Sequence, residues 1–215
     1  MLYKLKVLNA ICECGVVAVI RAASKEQALE ISEACAEGGI KAIEVTYTVP
    51  GASEVIKVLS NTLKGRLFIG AGTVLDSETA RAAILAGAEY IVSPGFDEAT
   101  ATLCNRYQVP YLAGCMTITE IIKAMEAGVD IVKLFPGNTM GPSFIKAVKA
   151  PLPQANIMPT GGVSLENLHE WIAAGAVAVG IGGDLMKGYN EFGIEKVKEN
   201  AKLFVDKVKE ARRGK

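Results

Sequence analysis

Eight short β-rich runs alternate with helical patterns along the whole 215-residue chain, and no other feature narrows the possible folds so much. The runs are VVAVI at 16–20, AIEVT at 42–46, LFIGAGT at 67–73, YIVSP at 90–94, YLAG at 111–114, IVKLF at 131–135, IMPTGG at 157–162 and VAVGIGG at 177–183. Strands joined through helices run parallel, because each helix returns the chain to the edge where it started. The segments SKEQALEISEACAEG, DSETARAAILAG, TITEIIKAMEAG and SLENLHEWIAAG are expected to open on a Ser, Thr or Asp cap and to close on Gly. Glu37-Gly38, Ala86-Gly87, Ala127-Gly128 and Ala174-Gly175 end helices just before strands, at intervals of about two β/α units, which reads as four quarter-barrels. An open doubly wound sheet is the other arrangement for such strands. Length, repeat and strand number favour an α/β chain closed as a (β/α)8 TIM barrel. MLYKLKVLNAICECG reads as an amphipathic N-terminal helix, and no linker or charge run divides the rest, so residues 1–215 are expected to form a single domain.

Half of the residues are hydrophobic, enough for one sizeable core. Lys plus Arg and Asp plus Glu number 23 each, so no field of one sign is available to hold nucleic acid or an anionic membrane, and any ligand must be bound locally. Neither a signal peptide nor a membrane span can be read, which points to a cytoplasmic protein. The five cysteines form an odd set, and Cys12-Glu13-Cys14 is too tight for a zinc knuckle, so reduced thiols and no metal site are expected. His169 is the only histidine, which removes chemistry that needs a histidine pair.

Sites on such barrels form at the C-terminal strand ends, so polar residues late in a strand are the first candidates. Arg21, Glu44, Thr46, Thr73, Ser93-Pro94, Lys133 and Thr160-Gly161-Gly162 all meet that test. Singly, each reads as a cap, a turn residue or a solvated strand end; together they describe a lined pocket. Lys133 is the least ordinary, because Ile131, Val132, Leu134 and Phe135 leave an ammonium little water. Desolvation favours the neutral amine, a nucleophile toward ketones whose imine is an electron sink for breaking a neighbouring carbon–carbon bond. The competing reading is a lysine stem crossing the barrel with its head paired to a carboxylate. Glu44 is the group placed to give and take protons beside it, or to neutralise it, and the two roles are compatible. Arg21 can fork onto a substrate carboxylate or sit in a surface ion pair. Lys41 begins its strand, on the face where barrels place stability. Gly161-Gly162 and Gly182-Gly183, after the last two runs, can bind an anion on bare backbone amides.

The segments IEVTYTVPGA, GAGTV, VSPGFD, KLFPG and PTGGV, in this order and spacing, closely resemble the 2-keto-3-deoxy-6-phosphogluconate and 4-hydroxy-2-oxoglutarate aldolase family over about residues 12 to 210. The resemblance implies a class I, pyruvate-dependent aldolase on a β/α barrel, a homotrimer with no metal and no other cofactor. It makes Lys133 the Schiff-base lysine and Glu44 the general acid/base. Thr73, Pro94 and Thr160 then line the pyruvate pocket, and Phe135 is the aromatic residue after the lysine. Thr48 stands where some members carry a carboxylate-binding arginine, and members sharing the TVP variant use the residue matching Arg21 instead. Gly182-Gly183-Asp184 replaces a serine-bearing loop of several relatives, and Asp184 would repel a phosphate unless it caps the following helix. The implied substrate is a 2-keto-3-deoxy-6-phospho sugar acid or 4-hydroxy-2-oxoglutarate, split to pyruvate and glyceraldehyde 3-phosphate or glyoxylate. The rival functions are a sugar-phosphate isomerase or epimerase, a metal-dependent aldolase, and a non-catalytic keto-acid-binding barrel.

Overall fold

The computed structural model describes residues 1–214 and turns the expected alternation into parallel strands interleaved with helices. The first half runs α1 (Tyr3–Cys14), β1 (Val16–Ile20), α2 (Lys25–Glu37), β2 (Ala42–Thr46), α3 (Ala52–Thr62), β3 (Phe68–Gly72), α4 (Ser77–Ala86), β4 (Tyr90–Val92) and α5 (Glu98–Tyr107). The second half runs β5 (Tyr111–Leu112), β6 (Gly114–Cys115), α6 (Ile118–Glu126), β7 (Val132–Leu134), α7 (Gly137–Met140), α8 (Pro142–Lys149), β8 (Ile157–Pro159), α9 (Leu168–Ala174), β9 (Val179–Ile181), a 3₁₀ turn (Gly183–Met186), α10 (Tyr189–Phe192) and α11 (Ile194–Arg213).

The strands form an α/β fold with a curled, all-parallel sheet in two parts, ordered β5-β4-β3-β2-β1-β9 and β6-β7-β8. The run expected as one strand at 111–114 is therefore two. β4 and β5 pair through Val92 and Leu112, and then Gly114 N–H donates to the Ser93 hydroxyl (3.4 Å) instead of continuing the ladder. A short polar side chain has competed with the backbone for a ladder donor. The break is bridged on the far side, where Lys133 N–H donates to the Ala113 carbonyl at 2.9 Å. Between β8 and β9 a single bridge joins Thr160 to Gly180, and Val177 N–H donates to the Ile157 carbonyl at 3.0 Å.

Helix starts follow the cap chemistry at Ser24, Asp76 and Thr117, whose side chains accept from Gln27, Thr79 and Glu120 N–H; Thr117 and Glu120 complete a capping box. The SLENLHEW segment departs from expectation. Its helix begins only at Leu168, because Ser164 N–H is taken by the Asn167 side chain, which also donates to the Gly162 carbonyl and holds the chain in a turn first. Most of the core lies between the strands and the outer helices. A second cluster fills the strand-lined interior at its N-terminal end, where Val7, Leu8 and Ile11 of α1 pack on Val17, Ala42, Tyr90, Leu112, Ile131, Met158 and Ala178. Burying each large aliphatic chain contributes roughly 2 kcal/mol, so α1 is a firmly seated plug.

Candidate active site

Parallel strands aim alternate side chains inward, and β2 and β7 each deliver one ionisable group to the interior. Lys133 Nζ donates to Glu44 Oε1 at 3.3 Å, with the side chains only 7% and 2% exposed. A proton can pass between ammonium and carboxylate here with no water between them. The Phe135 ring centre lies 5.2 Å from Nζ, a cation–π distance that also shields the amine on one side. Absent side chains make room here: a Cβ on Gly72 would stand 3.1 Å from the Glu44 carboxyl, and one on Gly180 would stand 2.2 Å from the Thr160 hydroxyl.

A cavity of about 120 Å3 opens above the pair at the C-terminal strand ends. Its wall contains most of the residues singled out from the sequence: Lys133, Glu44, Arg21, Thr73, Pro94, Phe135, Thr160, and the glycines at 161, 162, 182 and 183. Ser93 is not in the wall, since its hydroxyl braces the Tyr111 hydroxyl at 2.7 Å. His169 is exposed on α9, outside the cavity. The wall also includes Val19, Val163, Gly180 and Asp184, to which sequence reasoning gave no binding role, and Thr46, whose hydroxyl bonds that of Thr48 at 2.8 Å. Gly180 lies on β9 two positions before Gly182, so strand alternation alone could have found it.

Thr73 sits at φ 57, left-handed backbone that costs a non-glycine residue about 1–3 kcal/mol and that clusters at functional sites. Gly161 and Gly162, at φ 94 and 73, hold a turn whose N–H groups have no backbone acceptor among the described residues, as an anion-binding nest requires. Arg21 is exposed and lies beside this end of the cavity, its Nη1 3.7 Å from where a Gly182 Cβ would be. Among the described residues no carboxylate pairs with it, which leaves the guanidinium open to an anionic ligand. Asp184 is half-buried in the first turn of the 3₁₀ segment, and nothing lies within 4 Å of the side-chain position of Gly183.

A larger cavity, about 780 Å3, lies at the other end between α1 and the residues around Lys64 to Phe68. Its lysines, Lys6, Lys41 and Lys64, are all exposed, so it lacks the desolvated amine that the smaller cavity holds. Burial pushes the thiols of Cys35, Cys104 and Cys115 up to about 12, which removes them as nucleophiles near neutral pH. Among the described residues no three His, Cys, Asp or Glu side chains are grouped to hold a metal ion.

Comparison with known proteins shows the family. The family model described as KDPG and KHG aldolase matches residues 7–199. The 2-dehydro-3-deoxy-6-phosphogalactonate aldolase of Escherichia coli is 33% identical over 196 residues, covering 91% of this chain and 95% of that protein. The 2-dehydro-3-deoxy-phosphogluconate aldolase of Pseudomonas aeruginosa is 36% identical, covering 83% and 81%. A crystal structure of the KDPG aldolase from Legionella pneumophila, with pyruvate captured as a covalent carbinolamine intermediate, superposes with a TM-score of 0.84 at 26% identity, covering 94% and 97%. Matching the family model over residues 7–199, and the Escherichia coli relative over 95% of that protein's length, the chain belongs to the KDPG and KHG aldolase family.

Proposed function

We propose that this chain is a class I aldolase that cleaves a 2-keto acid to pyruvate and an aldehyde through a Schiff base on Lys133. The observation that carries the reading is the buried Lys133–Glu44 contact of 3.3 Å at the floor of the cavity. Glu44 takes a proton from Lys133, and the freed amine attacks the keto carbon. The carbinolamine loses water as Glu44 returns a proton to the leaving hydroxyl, giving the imine. Glu44 then accepts the proton of the hydroxyl on the second carbon beyond the imine. The bond between the first and second carbons beyond the imine breaks, its electrons passing into the imine to leave an aldehyde and an enamine. Glu44 protonates the enamine carbon, and water releases pyruvate and regenerates the amine. Arg21 and Thr73 hold the carboxylate, Pro94, Phe135 and Thr160 shape the pyruvate pocket, and the glycine pairs receive the distal anion.

The relatives' names favour a 2-dehydro-3-deoxy-6-phospho sugar acid, with 4-hydroxy-2-oxoglutarate as the unphosphorylated counterpart. The same reading takes the two sheets as one closed barrel, because β5 and β6 share one run and the Thr160–Gly180 bridge joins β8 to β9. It also takes residues 1–215 as one domain, working as a cytoplasmic homotrimer without metal or cofactor. Among the described residues no helix is long and apolar enough to cross a membrane. Borohydride reduction in the presence of pyruvate, followed by peptide mass spectrometry, should place the adduct on Lys133; an adduct elsewhere, or none, overturns the assignment. Assaying pyruvate release from the gluconate, galactonate and oxoglutarate substrates, with and without phosphate, then identifies the preferred keto acid.

A further inference from the structure

Among the described residues four buried side-chain polar atoms have no hydrogen-bond partner, and two of them, on Tyr90 and Glu44, belong to strands β4 and β2 of the interior. Tyr90 is fully buried and its hydroxyl makes no hydrogen bond, and Glu44 Oε2 is likewise buried and unpartnered while Oε1 accepts from Lys133. A phenylalanine would fill the space of Tyr90 without burying a hydroxyl, so the hydroxyl itself calls for an explanation. The strand register supplies one. Gly70 on β3 is the partner both of Glu44 on β2 and of Tyr90 on β4, so the two side chains face each other across a position with no side chain. A Cβ on Gly70 would stand 2.3 Å from Tyr90 Cζ, so the ring reaches from β4 to lie over β3, the strand that separates it from Glu44 on β2.

We propose that Tyr90 is a positioning residue for Glu44, its phenol holding Oε2 through one buried water while Lys133 holds Oε1. This rests on the class I reading above and adds to it a group that never touches substrate. No direct bond joins the two groups, and a single water donating to Oε2 and accepting from the phenol satisfies both orphans. Burial, with the field of Glu44 second, pushes the Tyr90 phenol well above its ordinary range, so it remains a donor. The consequence is mechanical. When Lys133 becomes an imine it loses N–H donors, and a carboxylate held only through Oε1 would be free to swing. Anchored through Oε2, Glu44 keeps Oε1 facing the carbon it must protonate.

The test compares Tyr90→Phe with the wild type. The variant should trap pyruvate on Lys133 with borohydride to the same final extent and keep the same KM. Its kcat, and its exchange of the pyruvate methyl protons into deuterium oxide, should both fall roughly tenfold, as for loss of a hydrogen bond to a charged group. A Tyr90→Phe enzyme that exchanges at the wild-type rate overturns the proposal. A high-resolution crystal structure of the wild type offers a second measurement, independent of the variant's folding: density for a water between the phenol and Oε2 supports the proposal, and a dry gap overturns it. Absence of any wild-type adduct on Lys133 would instead overturn the class I reading beneath it.

Discussion

The proposed mechanism asks Glu44 to move protons at several points of one reaction from a single buried carboxylate, so replacing it separates chemistry from binding. Glu44→Gln keeps the shape and a hydrogen-bonding oxygen but cannot take up a proton. Its kcat is expected to fall roughly 10²- to 10⁴-fold while pyruvate affinity changes only a few-fold, read from steady-state kinetics and equilibrium titration. Equal losses in both would mark Glu44 as a structural partner of Lys133. Lys133 was legible in the sequence because an ammonium among Ile131, Val132, Leu134 and Phe135 is out of place. Tyr90 was not, since a tyrosine in a strand is an ordinary β-former. The buried thiols make a prediction of a different kind. Cys35, Cys104 and Cys115 are raised from an ordinary 9.0 to about 12 by burial. Their contribution to stability is complete below pH 9. It declines from pH 9 to about 12, where the unfolded chain releases thiol protons that the folded chain retains. Denaturant titrations across that window should show stability falling by up to about 1.4 kcal/mol per pH unit for each thiol, and Cys35→Ala should make the slope shallower.

At the scale of elements, the site is assembled where strands stop being strands. The run read as YIVSP ends at Val92 and that read as IMPTGG ends at Pro159, since the chain leaves the ladder there to wall the cavity. Composition could not reveal this, because these terminal residues have the same β-rich character whether or not they pair. The division at Ala113 was equally hidden, since it depends on the Ser93 hydroxyl intercepting a donor from another strand. The alternation of strand and helix, by contrast, was plain, because hydrophobic period and cap residues are local properties. Gly114 is the most sensitive point of this architecture: a Cβ there would lie 2.1 Å from the Pro94 carbonyl group, backbone that cannot swing aside. Gly114→Ala should shift Pro94 and the cavity wall with it. The expected effects are about 1–3 kcal/mol of lost stability by denaturant titration and a fall of about 10²-fold in kcat/KM. Wild-type kinetics in that variant would mean that the β4 end does not shape the pocket.

For the whole molecule, the two chain ends are tied together. Arg212 on α11 donates to the carbonyls of Cys12 and Glu13 at the end of α1, and to that of Val177 beside β9, at 2.6 to 2.8 Å. Hydrogen bonds from a charged donor contribute about 1.5–3 kcal/mol. Arg212→Ala should therefore lower Tm by several degrees, at about 2–4 °C per kcal/mol for a chain of this size. Calorimetry checks this, and an unchanged Tm would show the clasp to be idle. The clasp also keeps α1 seated beneath the strands, and that has a bearing on the order of events in turnover. On the closed-barrel reading the site is a vessel stoppered at its base with one mouth, and whatever lies deepest must leave last. On the proposed mechanism pyruvate is tethered to Lys133 at the bottom and cannot depart until the aldehyde above it has gone. The kinetics should accordingly be ordered, with pyruvate competing directly against the keto acid for the empty enzyme and the aldehyde meeting only the enzyme already carrying pyruvate.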